Sequence, residues 1–555
     1  MKKGKLSAVL ALGLAIVMLA GMLSLPVSAV EGSRAPITSG DATGTITVEG
    51  ITGTDAGNVT VSAYRLMDVN FDGQAQQPKT PVYTWADEVA GWVRTNYAAY
   101  IGAAEPDNSV QPAFSSAAAG DVAAFYDDLA AAIRSGAIKD SDNQNLSPDK
   151  TGTVSGGTCS LTGLAMGNYL ILIEGGINVY RPSAVNLVPV WQEGETGQQG
   201  SWVMSDATVE IKSSAPTIEK MVKEGENYGG AANANTGDTV EFRIEAAVPQ
   251  YPADAFDKIY NISDTLPAGL TFTDAENAIR VYGVNDTTGE NGALLTENVA
   301  YGKTVGQEGT TFTLQFVYDQ IDEYSEIRVE YSAVLSAQAV PGQGNTNSAK
   351  LEYRNDPYVE DGYNTVSDSA TVYTYGIEVI KVDGDNNETR LAGAEFKLYG
   401  GIDADGNVTG DPIRFVQTTV DGVYRDGVYR KLCAGDDSST DTLTVNGTEG
   451  ENKGKLLLNG LDAGTYYLVE TKAPDGYNLP GSPVAVTIAD DDIDGALNGD
   501  PEIASGVISV TVENSDGFSL PTTGGMGTLI FTVTGVVLMG AAVLMFIVVR
   551  RKRRA

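Results

Sequence analysis

Near its C-terminus the chain reads Tyr466-Tyr-Leu-Val-Glu-Thr-Lys-Ala-Pro-Asp-Gly-Tyr477. The first half of this segment alternates in the manner of a β-strand, which places Tyr466, Leu468 and Glu470 on one face. The Pro and Gly that follow predict a turn. The strand therefore carries an acidic side chain in a row of residues that faces the hydrophobic core.

Two other strands of this region carry a polar side chain in an apolar row. The rows are Ile377, Val379 and Lys381, and Ile508, Val510, Val512 and Asn514. Because these rows point inward, Lys381, Glu470 and Asn514 are predicted to meet in the core. Burial favours a neutral, nucleophilic lysine and a protonated glutamic acid that can polarise the carboxamide. A buried Lys-Glu ion pair, with the asparagine as a bystander, is the alternative.

The segment from Tyr466 to Tyr477 resembles the E-box of Gram-positive pilins and of collagen-adhesin B-type (CnaB-type) immunoglobulin-like domains. Every fixed position of the pattern Tyr-x-Leu-x-Glu-Thr-x-Ala-Pro-x-Gly-Tyr is present. In that family a lysine on the first strand joins an asparagine on the last strand through an amide, and the E-box glutamate promotes the reaction. The resemblance implies an isopeptide bond between Lys381 and Asn514, with Glu470 as the promoting acid.

The preceding region repeats this combination in a layout similar to that of CnaA-type domains. Its inward rows are Ile218, Lys220 and Val222; Tyr260, Ile262, Asp264 and Leu266; and Asn347, Ala349, Leu351 and Tyr353. We predict a second bond between Lys220 and Asn347, with Asp264 as the acid. Asn345 lies on the same face as Asn347 and is the alternative partner.

The first region departs from this pattern. No lysine lies between Lys5 and Lys79 to occupy an early strand, and Asn168 to Glu174 is only a fragment of an E-box. We therefore predict no isopeptide bond there. Apolar residues at helical spacing predict two helices inserted into this region, namely Trp85, Val89, Trp92 and Val93, and Val122, Phe125, Leu129 and Ile133.

Short alternating segments rich in Val, Thr and Tyr, separated by Gly, Asn and Asp, predict a mainly β protein of tandem immunoglobulin-like (CnaA/CnaB-type) sandwiches. The length suits three or four domains. We expect a signal peptide at 1–29, an N-terminal domain with helical insertions at 30–213, a middle CnaA-like domain at 214–374, a C-terminal CnaB-type domain at 375–515 and a sorting region at 516–555.

Both ends of the chain carry export features. Lys2, Lys3 and Lys5 precede an apolar run and the small residues Val27-Ser28-Ala29, which is typical of a signal peptide cut after Ala29. Met526 to Val549 is an uncharged segment long enough to span a bilayer, and a basic cluster, Arg550 to Arg554, follows it. The alternative to a signal peptide at the N-terminus is a first membrane helix.

Leu520, Pro521, Thr522, Thr523 and Gly524 stand directly before the apolar segment. This motif, the apolar helix and the basic tail together resemble a sortase sorting signal. The resemblance implies that a membrane sortase cuts between Thr523 and Gly524, holds Thr523 as a thioester and passes it to an amine. The helix would then retain the chain only until processing; a plain single-pass membrane protein is the alternative.

Charge and composition exclude several classes of function. The processed chain, Val30 to Thr523, keeps 28 basic and 72 acidic side chains, a net charge of −44, which disfavours nucleic acid and anionic lipid as partners. The sequence has no histidine, so Ser-His, Cys-His and His-metal chemistry is excluded. Its two cysteines, Cys159 and Cys433, are too few for a disulfide framework. We expect neither a cofactor nor a bound metal.

Polymerisation requires an acceptor amine, which major pilins carry in a motif of approximately Trp, a spacer and Val-x-Val-Tyr-Pro-Lys. Here Trp202 is followed by Val209-Glu-Ile-Lys212, without the Tyr-Pro pair and with the lysine one place later. We predict Lys212 as the acceptor, with Lys223 and Lys79 as alternatives.

Acidic segments such as Asp68 to Gly73 and Asp403 to Asn407 are interpreted as solvated turns, with calcium loops as the alternative.

These features predict a structural backbone subunit of a sortase-assembled pilus, anchored in the cell wall and not an enzyme. The expected partners are sortase, neighbouring pilin subunits, the peptidoglycan cross-bridge and a host surface receptor. A monomeric wall-anchored adhesin and a minor or tip pilin are the alternatives. An extracellular hydrolase is disfavoured because no pair of catalytic carboxylates or activated nucleophile stands out.

Overall fold

A computed structural model of the chain describes residues 35–552 except for 52–54, 56, 195–198, 215, 252–254, 256, 286–291, 357–361, 421–422, 490–505 and 517–525. The predicted signal peptide and the motif Leu520 to Gly524 lie outside the described residues, as do the side chains in the first part of the predicted membrane span. Among the residues that the structure describes, no helix has both the length and the apolar character required to cross a bilayer.

The N-terminal region forms a β-sandwich with attached ladders. Its strands are β1 (Thr43–Glu49), β2 (Val59–Asp72), β3 (Gln77–Trp85), β4 (Lys150–Thr153), β5 (Cys159–Ala165), β6 (Gly167–Gly175), β7 (Val179–Tyr180), β8 (Ser183–Leu187), β9 (Pro189–Gln192), β10 (Ser201–Met204), β11 (Ala207–Glu210) and β12 (Ser213–Ser214). One sheet has the order β3-β2-β6-β8 with β4 beside β2, and the other has the order β11-β1-β5. Two ladders, β9-β10 and β7-β12, complete it.

Helices cover one side of the first sheet. They are α1 (Asp87–Asn96), α2 (Pro112–Ser115) and α3 (Ala119–Arg134), with a 3-10 turn at Ala98–Tyr100. Trp85, Phe114 and Phe125 form an edge-to-face aromatic cluster beneath them, with ring centroids 5.3 to 5.4 Å apart. The predicted helical insertions are confirmed, except that Trp85 ends strand β3 and does not belong to α1.

The middle region is a sandwich of two larger sheets around a single apolar core. Its strands are β13 (Ile218–Glu224), β14 (Asn227–Gly229), β15 (Ala231–Asn233), β16 (Thr239–Ala247), β17 (Tyr260–Thr265), β18 (Leu270–Thr271), β19 (Ile279–Val284), β20 (Ala293–Leu294), β21 (Tyr301–Val305), β22 (Phe312–Phe316), β23 (Glu326–Leu335), β24 (Asn345–Arg354) and β25 (Tyr363–Tyr373), with a 3-10 turn at Tyr318–Gln320. The sheet orders are β14-β13-β16-β23-β19-β20, with β18 beside β23, and β15-β25-β24-β17-β22-β21.

The C-terminal region is a smaller sandwich. Its strands are β26 (Tyr375–Asp383), β27 (Glu395–Tyr399), β28 (Phe415–Val420), β29 (Val423–Lys431), β30 (Leu443–Thr444), β31 (Lys455–Leu461), β32 (Gly464–Lys472), β33 (Val484–Ile488) and β34 (Val507–Asn514). The sheet orders are β28-β29-β31-β26-β34 and β30-β27-β32-β33. Helix α4 (Met526–Lys552) follows. The mainly β, multi-sandwich fold class is confirmed.

Hydrogen bonds join neighbouring sandwiches. The Tyr353 hydroxyl donates to the carbonyl of Ile177 at 2.6 Å, and the Asn355 side chain donates to the carbonyl of Gly176 at 2.6 Å. At the other junction, the backbone N–H of Asp462 donates to Asn235 Oδ1 at 3.1 Å. The three sandwiches are therefore connected by specific polar contacts as well as by the chain.

Truncation of Phe125 tests the contribution of the helical insertion. Phe125 is fully buried in the aromatic cluster, so Phe125→Ala should lower the free energy of unfolding of the N-terminal domain by about 3–5 kcal/mol. Ala124→Ser, on the exposed face of the same helix, should cost about 0.5 kcal/mol or less. Urea unfolding measures both values. Equal small effects would show that the insertion does not contribute to the core.

Candidate functional site

Two lysines are buried in the part of the chain that the structure describes. Lys220 is 1% exposed and Lys381 is 0% exposed. A buried ammonium group is costly unless it is paired or loses its proton. The neighbours of these two amines therefore determine what the chain can do chemically.

In the middle domain, β13 carries Lys220 while the opposite sheet carries the other two predicted residues. Asp264 lies on β17 and Asn347 on the adjacent strand β24, and the pairing of Asp264 with Ala349 places the asparagine close to the acid. Asp264 and Asn347 are both 0% exposed. The period-2 pattern of each strand directs all three side chains into the space between the sheets.

The structure brings these groups together. Lys220 Nζ lies 2.6 Å from Asp264 Oδ2 and 2.6 Å from the hydroxyl of Tyr331. Asn347 Nδ2 donates to the same hydroxyl at 2.6 Å. Asp264 Oδ1 and Asn347 Oδ1 have no hydrogen-bond partner among the described residues. The Tyr331 hydroxyl thus contacts both the amine and the carboxamide, and the acid contacts the amine.

The sequence analysis did not identify Tyr331. It lies on β23 in an inward row with Val329 and Ala333, and it belongs to the sheet that also contains β13. Its parity indicates an inward tyrosine, and buried tyrosine hydroxyls generally find a polar partner. That signal could have marked Tyr331 as a candidate, although it does not say which polar group the hydroxyl contacts.

The electrostatics of this site favour neutral groups. Burial lowers the pKa of Lys220, although the nearby Asp264 acts in the opposite direction. Burial likewise raises the pKa of Asp264 against the effect of Lys220. The lowered pKa of Lys220 and the raised pKa of Asp264 both favour a free amine and a protonated acid. A free amine has the lone pair that nucleophilic attack requires.

The alternative partner, Asn345, contacts a different part of the core. Its Nδ2 donates to the carbonyl of Val372 at 3.0 Å. Asn347, in contrast, shares the Tyr331 hydroxyl with Lys220. The geometry therefore places Asn347, and not Asn345, in the hydrogen-bonded cluster that contains Lys220.

The C-terminal domain positions its three residues on the first strand, the E-box strand and the last strand. β26 carries Lys381 and pairs in parallel with β34, with Lys381 opposite Val512. Glu470 lies on β32 of the facing sheet. Asn514 Nδ2 donates to Glu470 Oε1 at 2.7 Å, and Lys381 Nζ donates to the carbonyl of Val512 at 2.9 Å. The amine thus approaches the backbone of the strand that carries Asn514.

Burial also governs this second site. Glu470 is 7% and Asn514 is 2% exposed. Burial raises the pKa of Glu470, while the hydrogen bond from Asn514 and the charge of Lys381 oppose this change. Burial lowers the pKa of Lys381 against the nearby Glu470. Glu470 Oε2 and Asn514 Oδ1 lack partners among the described residues.

The last residue of the E-box contacts both ends of this domain. The hydroxyl of Tyr477 donates to Asp383 Oδ2 at 2.9 Å, and Tyr477 forms a β-bridge with Asp516. Asp383 ends β26. The E-box loop therefore connects the first strand of the domain with the residue from which the sorting region departs.

Lys212 is exposed at the junction of the N-terminal and middle domains. It lies between β11 and β12, and its carbonyl accepts a hydrogen bond from the N–H of Arg181 at 3.1 Å. An open groove of about 540 Å³ runs beside it, between α3 and the strands. Lys223, an alternative acceptor, pairs with Glu241 at 2.9 Å, and Lys79 is exposed on β3.

The acidic turns and the cysteines have simple structural surroundings. The Asp403 carboxylate accepts hydrogen bonds from the N–H groups of Asp405 at 3.0 Å and Asn407 at 2.8 Å, which is the geometry of a side-chain-capped turn. Cys159 is buried in the N-terminal domain, Cys433 is half-buried in the C-terminal domain, and both are free thiols.

Two family models and several known proteins are similar to this chain. Residues 376–501 match the family described as a prealbumin-like fold domain, and residues 512–555 match the LPXTG cell wall anchor motif. The trypsin-resistant surface T6 protein of Streptococcus pyogenes serotype M6 is 26% identical over 387 residues, covering 61% of this chain and 70% of the relative. Fimbrial subunit type 2 of Actinomyces naeslundii is 24% identical over 383 residues, covering 64% of each.

A solved structure, the T6 backbone pilin of serotype M6 Streptococcus pyogenes, is also similar to this chain. It has a TM-score of 0.49 and 22% sequence identity, and 81% of each chain is covered.

The anchor motif defines a surface protein that is attached to the Gram-positive cell wall. Within that class, the prealbumin-like domain and the similarity to the T6 protein and a fimbrial subunit support a backbone pilin. The predictions of a cell-wall-anchored surface protein and of a similarity to pilins are thereby confirmed.

Replacement of Lys381 by methionine tests the burial of Glu470. The variant Lys381→Met removes the charge that opposes the raised pKa of Glu470. A carboxyl group whose pKa is higher in the folded state stabilises the fold below its unfolded pKa, and this stabilisation is lost as pH rises through the folded pKa. We expect the free energy of unfolding of the C-terminal domain to fall by about 1 kcal/mol or more between pH 4 and 7.

The double variant Lys381→Met with Glu470→Gln is the matched control, because it has no ionisable group at this position. Hydrogen exchange of β31 at increasing urea concentration reports the stability of this domain. The single variant should lose stability with rising pH relative to the double variant. Parallel pH curves would contradict the assignment of a raised pKa to Glu470.

Proposed function

We propose that this pilin subunit is polymerised by sortase and braced internally by two self-formed isopeptide bonds, Lys220–Asn347 and Lys381–Asn514. The observation that carries the proposal is that the three reactive groups of each site are buried in the same core. Each of the two buried lysines described lies in a core that also holds a buried acid and a buried asparagine.

The internal reaction is an exchange of amides. The neutral amine attacks the side-chain carbonyl carbon of asparagine, the bond from that carbon to Nδ2 breaks, and ammonia leaves. Asp264 or Glu470, kept protonated by burial, donates a hydrogen bond that polarises the carboxamide. No oxidant or cofactor is required, because one amide replaces another.

The positions of the bonds suit a protein under tension. Lys220 and Lys381 lie on β13 and β26, the first strands of their sandwiches, and Asn514 lies on β34, the last strand described in the C-terminal domain. Force that enters at the first strand and leaves at the last would pass through the amide and not through the hydrogen bonds of the sheet. The bonds would replace the disulfides that a chain with two free cysteines lacks.

Between subunits, sortase would transfer Thr523 from its thioester to the amine of Lys212. Lys212 is exposed and beside an open groove, which allows an enzyme-bound acyl group to approach. The final transfer, to an amine of the peptidoglycan cross-bridge, would anchor the fibre. The exposed domains would then be available to a host surface receptor.

Intact-mass measurement tests the internal bonds. We expect the recombinant ectodomain, 30–523, to be lighter than its sequence mass by two ammonia molecules. Asn347→Ala and Asn514→Ala should each lose only one ammonia, because one bond cannot form. Asn345→Ala is the matched control from the same buried strand face and should still lose two. An unchanged wild-type mass would refute the cross-links.

Blotting of wall extracts tests polymerisation. A high-mass ladder is expected from the wild-type chain, while a monomeric adhesin would give a single band. Lys212→Ala and Lys212→Arg should both abolish the ladder, since neither side chain offers a nucleophilic amine. Lys223→Ala should retain it. A ladder that persists without Lys212 would refute this acceptor and direct attention to Lys79 or Lys223.

A further inference from the structure

The hydroxyl of Tyr331 lies between the two nitrogen atoms that exchange places in the proposed reaction of the middle domain. It is 2.6 Å from Lys220 Nζ, the attacking nitrogen, and 2.6 Å from Asn347 Nδ2, the leaving nitrogen. A single oxygen therefore contacts the atom that must lose a proton and the atom that must gain one.

The ring of Tyr331 is held firmly. It is 4% exposed, stacks on Phe242 with centroids 5.6 Å apart, and meets the edge of Phe312 at 5.0 Å. Lys220 Nζ lies 4.5 Å from the ring centroid. Aromatic packing of this kind fixes the position of the hydroxyl oxygen, while the hydroxyl hydrogen remains free to rotate between acceptors.

The C-terminal site handles its leaving group differently. There the acid itself contacts the leaving nitrogen, with Asn514 Nδ2 2.7 Å from Glu470 Oε1. In the middle domain the acid, Asp264, contacts the amine of Lys220, and the leaving nitrogen contacts Tyr331. The tyrosine thus occupies the place at the leaving group that the glutamate occupies in the other site.

We propose that Tyr331 is a catalytic residue of the Lys220–Asn347 cross-link and relays a proton between the two nitrogens. This inference rests on the proposed isopeptide function. As the bond from Nζ to the carbonyl carbon forms, the phenol oxygen accepts a proton from Nζ and passes its own hydroxyl proton to Nδ2. The bond from carbon to Nδ2 breaks, ammonia leaves, and the tyrosine ends as a neutral phenol.

The test compares the rates of the two cross-links within one molecule. The ectodomain, 30–523, is synthesised in a short cell-free pulse, and quenched samples are digested and analysed by mass spectrometry for each cross-linked peptide. In Tyr331→Phe, the Lys220–Asn347 peptide should form about 100-fold more slowly, the size of a typical general acid–base contribution. The Lys381–Asn514 peptide should form at the wild-type rate.

Tyr260→Phe is the matched control. Tyr260 is buried in the same core, but its hydroxyl donates to the carbonyl of Ala246 at 2.9 Å, so its loss should leave both rates unchanged. A wild-type rate of the Lys220–Asn347 bond in Tyr331→Phe would overturn the relay. Absence of that cross-link from the wild-type protein would instead overturn the proposed function.

A second comparison separates chemistry from folding. Asn347→Ala and the double variant Tyr331→Phe with Asn347→Ala cannot form the bond, so their Tm values report folding alone. Equal Tm values, combined with slow linkage in Tyr331→Phe, support the relay. A double variant that is unfolded, or clearly less stable than Asn347→Ala, would assign Tyr331 a packing role and reject the relay.

Discussion

The burial of a lysine amine is the constraint on which the chemistry of this protein depends. An ammonium group taken out of water is destabilised by several kcal/mol, and a single carboxylate does not fully offset that cost. The cores around Lys220 and Lys381 therefore move the amine and its neighbouring acid toward their neutral forms. A neutral amine beside a carboxamide can also attack the carbonyl carbon of that group. A fold that would otherwise be strained by its polar interior can become covalently closed.

The fold supplies this constraint through strand order. In both sandwiches for which a cross-link is proposed, the lysine lies on the opening strand, β13 or β26, and the asparagine lies much later in the chain, on β24 or β34. The amine and the carboxamide meet only when the sheets have assembled, since neither is close to the other in sequence. The proposed reaction would therefore follow folding, because lysines in an unfolded chain are solvated and charged.

Much of this arrangement could be predicted because side-chain parity in a strand is a strict rule. Alternation alone predicts that the rows ending in Lys381, Glu470 and Asn514 face inward, and these three residues are buried. Parity could not separate Asn345 from Asn347, since both face inward, and only the position of Tyr331 on the opposite sheet distinguishes them. Trp85 is buried, as predicted, but it ends strand β3 and does not begin the helix. Its spacing from Val89 fits a helix, and spacing alone does not show where the preceding strand ends. The contacts of the Tyr331 hydroxyl depend on how the two sheets pack against each other, and the local sequence pattern of a strand does not show this packing.

The negative charge of the chain bears on how the proposed fibre would hold together. A processed subunit with a net charge of −44 repels its own copies at distances up to about 8 Å in physiological salt. Non-covalent stacking of such subunits would have to overcome that repulsion at every junction. Inside the subunit, hydrogen bonds such as Tyr353 to Ile177 and Asp462 to Asn235 join neighbouring sandwiches, together with an ion pair between Lys431 and Asp238. A hydrogen bond of this kind contributes only about 1 kcal/mol. In the proposed fibre, covalent bonds between subunits and inside them would withstand this repulsion without depending on solvent or salt.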